Sequence, residues 1–330
     1  MDIAMALAGI VISSILLYFS GDWFSLVSSR LGTYCGFSKD VKGATFDAIS
    51  SSLPELLVAL YSVIFFHQFE VGIGTIAGSA LFNLLIIPGI AVFVAPVAFK
   101  ISKKVVSRDA LFYILSVSTL ILLLLFIPAW GVGIAAILLF GYVLYTMTII
   151  KHTKEHKKEE KKKNIATVSN KTTTTQTILK DILLFIFLLG VIGGLAFILT
   201  QSAISFSQAL GMSPVIIAFT VIAAATSIPD AIISIANARR GNIDDATSNV
   251  FGSNVFDIFV GIGLPLLIYS LISGKVIIAF THIEIIVGLL VATLITIYFF
   301  LKNKYTLSKN QGVFLVFIYF LFVLYTIIIA

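Results

Sequence analysis

The chain has 330 residues, 59% hydrophobic and only 12% charged, with 28 phenylalanines, a single cysteine and a formal charge of +6; its mean hydropathy is +1.08. Soluble globular chains carry about 25% charged residues, so an ordinary cytosolic domain is excluded, as are disordered, fibrous and disulfide-built classes, Cys35 having nothing to pair with. The apolar runs are continuous rather than short and alternating, which excludes an outer-membrane barrel and leaves an all-α polytopic membrane protein whose spans use about 20 residues each.

The first apolar run follows Met1 and Asp2 directly, with no basic leader and no clean cleavage site, and reads as a retained helix rather than a signal peptide. Breaks between apolar runs predict ten transmembrane helices, at 3–20, 41–66, 71–98, 109–128, 131–150, 177–201, 213–237, 245–272, 277–301 and 311–329. With the N-terminus outside, 21 of the 22 basic residues fall on the inner side and only Lys275 on the outer. The positive-inside rule therefore supports ten spans with both termini outside. The positive charge reflects topology, and no nucleic-acid partner is expected.

The segment 152–176 combines a run of Lys, Glu and His with a Thr-rich stretch. It cannot bury apolar surface and is predicted to be a flexible, charged cytoplasmic loop. It is too short for a regulatory domain and reads as a solvated tether. It separates a first five-helix repeat, 1–151, from a second, 177–330. Five is odd, so halves of one fold must lie inverted with respect to each other.

Two pairs of blocks support such a repeat. GATFDAISSSLPELLVAL (43–60) aligns with AFTVIAAATSIPDAIISI (218–235), pairing Ser52 with Ser227, Pro54 with Pro229 and Glu55 with Asp230. GTIAGSALFN (74–83) aligns with SNVFGSNVFD (248–257), pairing Gly78 with Gly252, Ser79 with Ser253 and Asn83 with Asp257. The offsets are 175 and 174. Inverted repeats with Pro-interrupted spans in matching positions point to a transport site near the bilayer midplane.

Most of the acidic residues sit in loops or near span ends; the four that read as lying within the predicted spans are Asp47, Glu55, Asp230 and Asp257. A charge at the bilayer centre costs about 2.5–3.5 kcal/mol on insertion scales. With no basic residue at their depth, Glu55, Asp230 and Asp257 need cations, protons or water. Ser51 and Glu55, Ser79 and Asn83, Thr226 and Asp230, and Ser253 and Asp257 are each four apart, so each pair shares one helix face. Pro54 and Pro229 free carbonyls near Ser50 and Ala225, where the helix can unwind. Carbonyls, hydroxyls and carboxylates are hard oxygen ligands that suit Ca²⁺, and subsets suit Na⁺; with no His or Cys in the set, Zn²⁺ and Cu⁺ are disfavoured. One divalent ion neutralises Glu55 and Asp230 together. Emptied, the two acids repel and the site is costly, so it crosses the membrane only when filled. The same reasoning keeps proton coupling as a rival.

Blander roles compete. A buried serine one turn from another polar group ordinarily makes a helix contact or bonds its own backbone, which applies to Ser52, Ser79, Ser227 and Ser253 taken singly. Asn83 suits an interhelical hydrogen bond, and Asp47 sits near a span end where it reaches water. His282 and Glu284 read as interfacial. Gly72, Gly74 and Gly78 permit close packing, and Gly78 also offers a place for backbone to approach an ion.

GATFDAISSSLPEL and ATSIPDAIIS resemble the two repeat cores of the cation/calcium antiporter superfamily, the sodium/calcium exchangers. VGIGTIAGSALFN and GSNVFDIFVGIGLP are most similar to the potassium-dependent branch. The resemblance spans both halves. It implies ten helices as two inverted five-helix repeats, with ion sites between spans two, three, seven and eight. It further implies Glu55 and Asp230 as the main Ca²⁺ carboxylates, with carbonyls of Ser51 and Thr226 adding ligands. Ala48, Ser52, Ser79, Ala223, Ser227 and Ser253 would line Na⁺ sites, and Asn83 and Asp257 would flank the centre, Asp257 at the position linked to K⁺. Two departures stand out: Ile49, Ser50, Ala224 and Ala225 occupy places where glycine is usual, and Asp47 replaces an apolar residue.

The expected function is Ca²⁺ extrusion by Na⁺ antiport through alternating access, with K⁺ as a candidate co-transported ion. No enzyme activity and no resident cofactor are expected, and one chain suffices for the site. The expected location is a prokaryotic plasma membrane. The rivals are an H⁺-coupled exchanger, whose Gly-Asn-x-x-Glu signature is absent; a channel, which would need oligomer symmetry; and an intramembrane aspartyl protease, whose Gly-x-Gly-Asp element is absent.

Overall fold

The computed structural model describes residues 2–35, 48–103, 105–161, 175–278 and 280–328. Its helices are α1 (Ile3–Tyr34), α2 (Ala48–Ser51), α3 (Leu53–Ile64), α4 (Phe69–Val94), α5 (Leu111–Phe126), α6 (Val132–Lys161), α7 (Thr175–Leu210), α8 (Pro214–Ile217), α9 (Ala223–Thr226), α10 (Ile228–Arg239), α11 (Ile243–Phe256), α12 (Gly263–Ser273), α13 (Ile283–Lys302) and α14 (Lys309–Ile328). Single π-helical turns precede α5, join α8 to α9, and join α11 to α12. Among the described residues eight helices are long and apolar enough to cross a membrane, and the pair Pro214–Thr226 and Ile228–Arg239, bent by 44°, makes a ninth. The second expected span, 41–66, is present as α2 and α3, broken at Ser52; Asp47 lies outside the described residues.

The two broken spans break in the same way. Ser52 (φ −90°, ψ 6°) and Ser227 (φ −80°, ψ −4°) each interrupt the helix for one residue, and a proline follows at the second position of the next helix. The missing N–H of Pro54 or Pro229 removes one rung of the ladder. Backbone pairing resumes at once, with Leu56 N donating to Ser52 O at 3.1 Å and Ala231 N to Ser227 O at 3.1 Å.

Other boundaries shift for local reasons. α1 runs on to Tyr34 instead of stopping near residue 20, because Ser13 and Ser20 return their hydroxyls to the backbone at Gly9 O (2.6 Å) and Leu16 O (2.7 Å) and so do not break the helix. α7 runs past 201 likewise, with Ser207 bonding Ile204 O at 2.7 Å. Helix α6 continues to Lys161, into the segment expected to be loop; Lys and Glu are good helix formers. The remainder of that segment, 162–174, lies outside the described residues.

α4 sits at the centre and is buried on every side, as an all-round apolar helix must be. It contacts α3, α10, α11, α13 and α14. Gly78 explains how closely the halves meet: a Cβ there would overlap the carbonyl oxygen of Phe219 in the π-turn of the other half. Gly78 is thus a packing residue where the two halves meet. α1 and α7 run antiparallel, with Ile10, Leu17, Phe24 and Val27 packed in one cluster with Leu188, Ile192, Ala196 and Leu199. Arg30 closes their far end on Asp181 at 2.9 Å.

Among the described residues two antiparallel sheets of two-residue strands join the halves. β1 (Phe99–Lys100) pairs with β4 (Thr306–Leu307), and β2 (Ala129–Trp130) pairs with β3 (Val276–Ile277). Each pairing joins a first-half loop to a second-half loop, and the two pairings are copies of each other under the repeat. The chain is an all-α polytopic membrane fold of two inverted repeats. His282 and Glu284, expected at an interface, form a pair at 3.1 Å.

Gly78→Ala is expected to lower unfolding stability in detergent by about 1–3 kcal/mol through overpacking against fixed backbone. Gly194, where an added methyl would meet nothing within 4 Å, tolerates alanine without loss. Thermal unfolding of the two variants side by side checks the contrast.

Candidate cation-binding site

The broken spans α2–α3 and α9–α10 cross beside α4 and α11, and their polar faces meet. Glu55, Asp230 and Asp257 are fully buried, as are Ser52, Ser79, Asn83, Thr226, Ser227, Ser253 and Asn254, with Ser51 at 1% exposure. The short helix starts α3 and α10 place Glu55 and Asp230 in their first turns, where the positive end of the helix dipole favours an anion.

The hydroxyls and amides knit the halves together. Ser253 Oγ donates to Asp230 Oδ1 at 2.9 Å, and Ser79 Oγ lies 3.3 Å from Glu55 Oε1 and 3.4 Å from Asp257 Oδ2. Ser227 Oγ donates to Ser79 Oγ at 2.9 Å, and Ser51 Oγ lies 3.4 Å from Ser253 Oγ. Thr226 returns its hydroxyl to Ile222 O at 3.1 Å. The Ala223 carbonyl accepts from Ser227 N at 3.0 Å, and its methyl lies beside Gly78 of α4. The backbone of Ala48 opens α2, and its side chain is outside the described residues.

Four oxygens of this cluster are buried with no hydrogen-bond partner: Ser52 Oγ, Glu55 Oε2, Asn83 Oδ1 and Asp257 Oδ1. A buried polar atom left without a partner costs roughly 1–3 kcal/mol, more when charged. Arg30 pairs with Asp181 and Arg108 with Asp109, and among the described residues no lysine or arginine pairs with the three central acids. The arrangement is an enclosed, oxygen-lined cage that holds three carboxyl groups and, among the described residues, no protein cation, which is the donor chemistry of a hard-cation site.

Asn254 was not singled out by the sequence, and it fixes the polarity of the cage. Its Nδ2 donates to the carbonyl of Ala80 at 3.0 Å, an atom that can only accept. Its Oδ1 must therefore face a donor, and Asn83 Nδ2 supplies one at 3.2 Å. The second hydrogen of that amide goes to Asp230 Oδ2 at 2.7 Å. Both Asn83 hydrogens are used, so Asn83 Oδ1 is the atom left free. The signal in the sequence is the amide of Asn254, directly after the matched Gly-Ser pair, where the first block has Ala80.

Asp109, which the sequence leaves at a span end, is also fully buried. It is held by Arg108 Nη2 at 2.8 Å, the Ser248 hydroxyl at 3.1 Å and the Tyr145 hydroxyl at 3.4 Å, and is not part of the oxygen cage.

The family pattern described as sodium/calcium exchanger protein matches residues 5–151 and 180–328, one stretch in each half. The chain belongs to the sodium/calcium exchanger family. It is therefore a transporter and not an enzyme. It is 30% identical to an uncharacterized membrane protein of Methanocaldococcus jannaschii over 74% of this chain and 76% of that one. It is 28% identical to the inner membrane protein YrbG of Escherichia coli over 80% of each. Sodium/potassium/calcium exchanger 1 of Mus musculus is 41% identical, but over only 34% of this chain and 10% of its own length. The sodium-calcium exchanger NCX_Mj, in a structure soaked with Na⁺ and Sr²⁺, shares the fold at TM-score 0.63 and 24% identity, covering 97% of this chain and 98% of its own.

Asn254→Leu is expected to lower stability by about 1–2 kcal/mol, the upper range for interhelical hydrogen bonds in membranes, because it removes the bond to the Ala80 carbonyl, leaving that oxygen only its own helix partner, and frees the Asn83 amide to rotate. Unfolding in detergent measures the loss.

Proposed function

We propose that this exchanger moves Ca²⁺ out of the cell against inward Na⁺ by alternating access, with the cage around Glu55, Asp230 and Asp257 as the transported-ion site. The observation that carries this reading is the set of orphaned oxygens on Ser52, Glu55, Asn83 and Asp257, contributed by both halves and enclosed without a basic partner. Glu55 and Asp230 are the proposed main Ca²⁺ carboxylates. Carbonyls of Ser51 and Thr226 add ligands as the broken spans flex, and Ala48, Ser52, Ser79, Ala223, Ser227 and Ser253 line the Na⁺ positions. One chain holds the whole site, so a monomer suffices.

The proposed orientation places both termini outside and the segment 152–176 in the cytoplasm, with repeats 1–151 and 177–330 facing opposite ways in a prokaryotic plasma membrane. Net positive inflow strengthens extrusion, since one charge crossing 100 mV is worth about 2.3 kcal/mol.

A second reading adds K⁺. The three acids carry an odd charge, so one Ca²⁺ leaves a single negative charge that a monovalent ion completes, and Asp257 Oδ1 is free to receive it. Identity with the sodium/potassium/calcium exchangers favours this reading over the matched third of the chain.

Radiocalcium uptake into proteoliposomes, with Na⁺, K⁺ and pH gradients varied independently, tests the function. Glu55→Gln and Asp230→Asn are each expected to cut Na⁺-driven uptake more than about tenfold, from loss of a charged ligand. Uptake that survives both substitutions sinks the assignment, and uptake driven by a pH gradient alone favours proton coupling instead. For the orientation, Cys35 is the one thiol and is exposed. In intact cells it is expected to resist a membrane-impermeant maleimide and to react after permeabilisation.

A further inference from the structure

We infer that Ser234 and Asn249 form a transit site for the exchanged cation, one helical turn to the cytoplasmic side of Asp230 and Ser253. This rests on the proposed function and extends it to the path between the cage and the cytosol. Asp230 and Ser234 are four apart on α10, and Asp245, Asn249, Ser253 and Asp257 repeat every four residues along α11 and into its π-turn. Residues at that spacing share a face. The two faces meet, because Asn249 Nδ2 donates to Ser234 Oγ at 3.1 Å, as Ser253 Oγ does to Asp230 Oδ1 one turn deeper. Exposure is graded along the seam: Asp245 is exposed, Asn249 half-buried, and Ser234, Ser253, Asp230 and Asp257 fully buried.

The other half lacks this seam. Under the repeat offsets Ala59 stands for Ser234, Thr75 for Asn249 and Val71 for Asp245. Thr75 spends its hydroxyl on Val71 O at 3.0 Å within its own helix. The two helices there touch directly, a Cβ on Gly72 falling 3.0 Å from the Ala59 Cα. A contact needed only to hold paired helices together would be expected in both halves, whereas a polar rung on one side alone suits traffic on that side. Hydroxyl and amide oxygens are neutral hard ligands. They replace waters of hydration without adding a charge that would trap the ion, which is what a stepping site requires. The ligand class is a partly hydrated Ca²⁺ or Na⁺.

The test uses the full-length protein in vesicles of known sidedness, set by maleimide reaction at Cys35, and reads the half-saturating Ca²⁺ concentration at each face. Ser234→Ala combined with Asn249→Ala is expected to raise it about fivefold at the cytoplasmic face and leave the outer face unchanged. Asn249→Asp, which adds charge to the rung, is expected to lower it at the cytoplasmic face only, and carries the test if the double variant does not fold. Thr75→Ala, at the mirror position, shifts neither face. Equal shifts at both faces, or no shift in either variant while the parent protein exchanges, overturn the transit site and leave the proposed function standing. A parent protein without Na⁺-driven Ca²⁺ movement overturns both.

Discussion

Three carboxylates sit in the middle of a membrane fold with no lysine or arginine against them among the described residues, and the surrounding structure answers that electrostatic burden. Desolvating even a paired charge costs several kcal/mol, so the acids are tolerable only where donors and helix starts converge. The serine at each helix break, the proline that follows and the hydroxyls of α4 and α11 supply that convergence. Helix α4 is buried all round because it must bring Ser79 and Asn83 to the centre from the opposite half. Gly78 permits this by letting its backbone meet the Phe219 carbonyl directly.

The cage is polarised as well as enclosed. From the Ala80 carbonyl through Asn254 and Asn83 to Asp230, each group has one orientation that satisfies its neighbour. The outcome is that Asp230 has both oxygens engaged by protein donors, while Glu55 and Asp257 share Ser79 and each keep an oxygen free. The sequence pairs Glu55 with Asp230 as equals. Their surroundings are unequal, and the difference arises from the one position where the second motif carries an amide in one half and an acid in the other.

Much of this was legible in the sequence where the signal is local. The four-residue spacing of Ser79 with Asn83 and of Ser253 with Asp257 fixes a shared helix face, and Pro54 and Pro229 mark the breaks to within two residues. Legibility fails where partners are distant. Asn254 pairs across the halves with a carbonyl, and a backbone atom leaves no mark in the sequence. Asp109 looks like a span-end residue until Ser248 and Tyr145 arrive from other spans. The two-residue strands have no periodicity to detect. α1 and α7 outrun their apolar cores because their serines bond inward and Arg30 finds Asp181, neither of which hydropathy registers.

The unequal halves have a consequence for how such a molecule rests. A chain made of two identical inverted halves would be indistinguishable from itself when turned over, and its inward-open and outward-open forms would be isoenergetic. Asn83 opposite Asp257, Ala80 opposite Asn254 and Thr75 opposite Asn249 remove that degeneracy. The waiting conformation is then an encoded property, adjustable one residue at a time at the positions where the two halves differ.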